Sequence, residues 1–123
     1  MEATISSYRD LLVWKAAVEL AVACYGATKA FPPSEIYGMS SQIRRSSTSI
    51  AANIAEGHGR ENTGSFIQFL RVAQGSLKEL ETHLILAGRV GLMPENAANA
   101  LLKDADEIGR MLRSMVRSLQ KRS

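Results

Sequence analysis

The chain has 123 residues, 46% hydrophobic and 22% charged, which suits one domain that buries about two thirds of its unfolded surface and argues against a disordered protein. One cysteine, Cys24, excludes an intramolecular disulfide and fits a reduced, cytoplasmic setting. The net charge of +3 conceals an asymmetry: residues 108–123 carry Arg110, Arg113, Arg117, Lys121 and Arg122 with no acid, so residues 1–107 hold ten basic and twelve acidic residues, a balance of −2.

The N-terminus lacks the basic start and clean apolar stretch of a secretory leader. The spacing predicts a first helix over about 9–30, with Leu11, Trp14, Val18, Ala21, Tyr25 and Thr28 recurring at steps of three and four as its core stripe. Its apolar heart, AAVELAVACYGA, contains Glu19 and is too short to span a bilayer, so no membrane association is expected. FPPSEIYG (31–38) ends this helix, because Pro32 and Pro33 cannot continue it. A second helix follows over about 39–59, with Met39, Ile43, Ser47, Ile50 and Ile54 inward. GHGREN (57–62) separates it from a third over about 63–89, for which Asn62 or Thr63 is the N-cap. The third stripe is Phe66, Leu70, Ala73, Leu77, Leu80, Leu84 and Ala87. In GLMPEN (91–96), Gly91 suits a left-handed C-cap and Pro94 suits the first turn of the next helix. The last helix, about 94–120, buries Ala98, Leu101, Ala105, Ile108, Leu112, Met115 and Leu119. No segment sustains the alternation of a strand. The expectation is one all-α domain over 1–123, an antiparallel up-down-up-down four-helix bundle with short connections.

The second helix is the unusual one. QIRRSSTSIAANIAEG (42–57) has four hydroxyl residues in a row and no charge between Arg45 and Glu56. Serine and threonine are indifferent helix formers, so propensity does not account for them. On a wheel of about 100° per residue, Ile43, Ile50 and Ile54 share one arc, and Gln42, Arg45, Ser49, Ala52, Asn53, Glu56 and Arg60 lie on the far side. A polar solvent face is one reading of that second arc. The sharper reading makes it a homo-oligomer interface, since interface cores lose charge and small residues let another backbone approach. Glu56 and Arg60, at i and i+4, would then form a rim ion pair.

DLLVWKAAVELA (10–21), FPPSEIYGMSSQIRRSSTSIAANIAEGHGR (31–60), FIQFLRVAQGSLKELETHL (66–84) and EIGRMLRSMVRSL (107–119) resemble the bacterial four-helix-bundle family named for proteins encoded in intervening sequences of 23S ribosomal RNA. The likeness covers nearly the whole chain. It implies an antiparallel four-helix bundle, a ring-shaped homo-oligomer that is a pentamer among relatives, and no enzymatic activity. A related branch is the basic accessory protein of diversity-generating retroelements, which binds nucleic acid and a reverse transcriptase. The body of this chain is not basic, a departure that weakens the nucleic-acid analogy.

The residues themselves offer little catalytic chemistry. His58 and His83 lack Cys or His partners at metal-ligand spacing, so neither a metal nor a cofactor is expected. Cys24 lies on an apolar helix and reads as a small core residue. GHGRENTG follows a helix instead of a strand and does not fit a dinucleotide fingerprint. Glu79 and Glu81 read as surface residues or as partners for Arg44 or Arg45. No small-molecule substrate is implied. Two functions remain: an oligomeric scaffold or adaptor that recruits another protein, and an RNA-binding module. The second would use Arg110, Arg113, Arg117 and Lys121, which span about 80° of arc and about 16 Å of helix. The same cations also complement a helix C-terminus with no ligand at all.

Overall fold

The structure, a computed structural model, describes residues 7–122. Its helices are α1 (Leu12–Thr28), α2 (Met39–His58), α3 (Thr63–Arg89) and α4 (Glu95–Arg122), with 3-10 turns at Tyr8–Asp10 and Pro33–Glu35. No strand occurs among the described residues.

Each boundary has a local cause. The Ser7 side chain accepts from the Arg9 amide while the Asp10 carboxylate accepts from Ser7, a capping box that turns the chain before α1. The first α-helix therefore starts at Leu12, three residues later than its periodicity predicts. The Glu35 carboxylate accepts from the Met39 amide and so caps α2 from outside. Asn62 accepts from the Ser65 amide at 2.8 Å, the cap expected for α3. At the far end of α3, Gly91 takes φ +83. The Leu92 amide then reaches back to the Ala87 carbonyl and the Gly91 amide to Gly88, the Schellman pattern. Pro94 stands just before α4, its carbonyl accepting from Ala97 and Ala98.

Contacts between elements give the topology. Arg45 meets Glu79, Ser49 meets Ser76, and Arg60 lies over Phe69, so α2 and α3 run antiparallel. Gly88 approaches Ala98 and Gly109 approaches Leu77, so α3 and α4 do the same. Thr28 and Tyr25 of α1 meet Arg44 near the start of α2. The core is Ile43, Ile50 and Ile54 of α2, Leu70, Leu77, Leu80 and Leu84 of α3, and Ile108, Leu112 and Val116 of α4. The α2, α3 and α4 stripes fall where their periodicity places them, save that Val116 replaces Met115 at full burial and that Phe66 and Met39 are only half-buried.

The first helix is different. Its core face is Val13, Ala17, Leu20, Cys24 and Thr28, whereas the expected stripe placed Trp14, Val18, Ala21 and Tyr25 inside. Those four are half-buried or exposed. The reason is composition: α1 is apolar almost all round, so two stripes compete and spacing alone does not choose between them.

Candidate functional site

The serine-rich stretch of α2 is mostly consumed inside the chain. Ser46 and Ser47 are fully buried. Ser46 donates to the Gln42 carbonyl at 2.8 Å and Ser47 to the Arg44 carbonyl at 3.1 Å. Each hydroxyl is thus satisfied by its own helix while its small volume lets neighbouring helices close in. Ser49 shares a hydrogen bond of 2.8 Å with Ser76 on α3, and the Asn53 amide donates to both the Ser49 carbonyl and its hydroxyl. Arg45 donates to Gln42 and to Glu79, and the Arg45 hydrogen bond is the main cause that holds the Glu79 carboxyl below its ordinary value. At the lower end of this seam Gly57 is buried, and a Cβ there would lie 2.7 Å from the Phe69 Cβ. Glycine is what allows α2 and α3 to touch.

The residues expected on a second face of α2 are therefore not one surface. Arg45, Ser49 and Asn53 belong to the α2–α3 seam. Glu56 and Arg60 form the expected i,i+4 pair, at 3.2 Å, and the Arg60 guanidinium also covers Phe69. Gln42 is half-buried, and Ala52 is exposed.

Sequence reasoning missed the neighbouring face. Val18, Ala21, Val22 and Gly26 of α1 and Thr48 and Ala51 of α2 line a groove of about 500 Å³, with Tyr25 and Lys29 at one end. Val22 is 61% and Tyr25 43% exposed. The Arg44 guanidinium stands 5.0 Å from the Tyr25 ring centre while its Nε donates to Thr28. The signal was available in the surplus of apolar residues around α1, more than one stripe can bury.

On α4 the basic ridge splits. Arg110 is paired with Asp106. Arg113, Arg117 and Lys121 are exposed and have no ion-pair partner among the described residues. The last turns of α4 pass the start of α1, leaving a second groove of about 820 Å³ floored by Leu11, Leu12, Met111 and Met115.

Reactive chemistry is sparse. Burial pushes the Cys24 thiol up to about 12, which removes the thiolate that a nucleophile needs. His83 faces Glu79 at 3.4 Å through Nε2, and its Nδ1 is buried without a hydrogen-bond partner. Among the described residues no group of three His, Cys, Asp or Glu could hold a metal ion, and no helix is long and apolar enough to cross a membrane.

A hydroxyl-lined, glycine-closed α2–α3 seam and an uncovered apolar α1–α2 face characterise this small all-α four-helix bundle. The chain belongs to the 23S rRNA-intervening sequence protein family, whose profile matches residues 9–114. It is similar to a crystal structure of a protein with unknown function from the S23 ribosomal protein family of Bacteroides thetaiotaomicron, with a TM-score of 0.77 and 30% identity over 85% of this chain and 98% of that one. No curated protein matches it.

Proposed function

We propose that this protein is a non-enzymatic, self-assembling scaffold or adaptor of the cytoplasm, with other copies of itself as its first partner and a pentameric ring, as the resemblance implies, as its assembled form. The observation that carries this reading is the uncovered face where α1 meets α2. Val22 and Tyr25 stand in the open beside Thr48 and Ala51, with no charged side chain on α2 between Arg45 and Glu56. Contiguous apolar surface of this kind, edged by charged groups, marks an association site. Burial keeps the Cys24 thiol protonated, so the single cysteine is a core residue in this reading and not a nucleophile.

Ala52 is the clean probe, because it is exposed and takes no part in the α2–α3 seam. Ala52→Arg is expected to yield monomers of 13.4 kDa with unchanged helicity, read by light scattering and circular dichroism. A wild-type chain that is monomeric at micromolar concentration overturns the reading. Ser49 does not serve, since a bulky charge there would also break the bond to Ser76.

A second reading, RNA contact through α4, is favoured by one observation: Arg113, Arg117 and Lys121 are exposed cations on one side of one helix without carboxylate partners among the described residues. Arg44, Arg45 and Arg60 are engaged within the chain, with Thr28, Glu79 and Glu56 respectively.

A further inference from the structure

The α1–α2 connection displays an apolar pair that no described residue covers. Tyr37 is 94% exposed and Ile36 56%. The segment that carries them is braced. Pro32 and Pro33 restrict the backbone, and amides of Glu35, Ile36 and Gly38 bond to the carbonyls of Pro32, Pro33 and Glu35 at 2.9–3.1 Å. The Glu35 carboxylate accepts from Met39, and a Cβ on Gly38 would lie 3.0 Å from that carboxylate. A rigid turn that holds an aromatic ring in water has already spent the ordering entropy that binding requires, which is how interface anchors are built.

We infer that Ile36 and Tyr37 of one copy seat in the α1–α2 groove of another. This rests on the self-assembly reading and names the contact that makes it. Within one copy the turn aims Tyr37 into solvent, so the occupant is a second chain. The groove has room for the pair: most of its lining is apolar, and the space above Gly26 is open, with nothing within 4 Å of an added Cβ. It also has the matching charge. Lys29 lines the groove and Arg44 lies over Tyr25, whereas Glu35 is the only charged residue in 31–38. An incoming tyrosine ring would stack near a guanidinium. One tyrosine buries about 150–250 Å², roughly a quarter of the 800 Å² per partner of a stable interface, so the anchor works with the rest of the groove lining around Val18 and Thr48. A knob and a hole on different parts of one chain make a head-to-tail contact, the kind that closes into rings.

The test uses two variants of the full chain. Tyr37→Asp removes the knob and leaves the groove. Gly26→Trp fills the groove, where there is open space, and leaves the knob. Each alone is expected to lose assembly with helicity retained, and an equimolar mixture is expected to restore a species of twice the monomer mass, because one intact knob then meets one intact groove. Oxidative cross-linking of Ile36→Cys in one copy to Val22→Cys in another, with Tyr37 kept, locates the contact, since the native Cys24 is buried. Assembly of Tyr37→Asp at wild-type strength, or cross-linking of Ile36→Cys to Leu12→Cys in the α4-end groove instead, overturns this inference while leaving self-assembly standing. A monomeric wild type overturns both.

Discussion

At the scale of single residues, size decides more than polarity. Ser46, Ser47 and Ser49 sit where larger side chains would hold α2 away from its neighbours, and their hydroxyls cost little because helix carbonyls or Ser76 satisfy them. Gly57 takes this to its limit. Gly57→Ala is expected to cost about 1–3 kcal/mol, because the new methyl overlaps Phe69 and Phe66. Gly75→Ala is its control: nothing lies within 4 Å, so replacing an exposed helical glycine should stabilise by about 0.5–1 kcal/mol. Thermal unfolding of the pair reads both signs. Cys24 makes a chemical prediction. A thiol held near 12 is protonated throughout the neutral range, so a thiol-reactive reagent at mildly alkaline pH should leave the native chain unmodified and label it only after denaturation.

At the scale of elements, α3 is the central staff of the fold, packed along α2 on one side and α4 on the other. Leu77 is fully buried against the space left by Gly109. Leu77→Ala is expected to cost about 2–5 kcal/mol, and Leu92→Ala, at a half-buried helix end, distinctly less. Denaturant midpoints compare the two, and a neutral Leu77→Ala would refute the register. The α2–α3 seam also has a pH signature. The Glu79 carboxyl is held below its ordinary value mainly by Arg45, so its contribution is present above the unfolded carboxylate pKa and is lost as pH falls through the folded one. Arg45→Met should therefore flatten the acid limb of the stability curve. The change is small, because both side chains are more than a third exposed and water screens the pair.

At the scale of the molecule, charge is segregated along the chain. The cationic surplus lies on the exposed side of the end of α4, opposite Ile108, Leu112 and Val116. If this ridge contacts RNA, Arg113, Arg117 and Lys121 changed together to Gln should abolish binding and leave the fold intact, and the wild-type affinity should fall steeply with salt as counterions are released. Sequence selectivity is expected to be weak, because no aromatic platform accompanies the cations. Anisotropy titrations of a structured RNA at low and moderate salt measure this. Absence of binding at low salt leaves the assembly module alone.

The four helices and most of their ends, the start of α1 excepted, were legible in the sequence, because capping and breaking chemistry is local. Asn62, Gly91 and the Pro32–Pro33 pair act within a few residues of themselves, and the α3 stripe recurs regularly from Leu70 to Ala87. The inward face of α1 was not legible. Trp14, Val18 and Tyr25 compete with Val13, Ala17 and Leu20 at the same spacing, and the choice falls to which set fits against α2 and α4. The candidate site divides the same way. The charge-poor middle of α2 and the basic ridge of α4 could be counted along the chain. That Ser49 is answered by Ser76, 27 positions away, that Arg45 is answered by Glu79, and that α1 and α2 leave an apolar groove between them, were settled only by packing. Hydrogen-bond partners and unfilled space belong to pairs of helices, and no single helix carries that information.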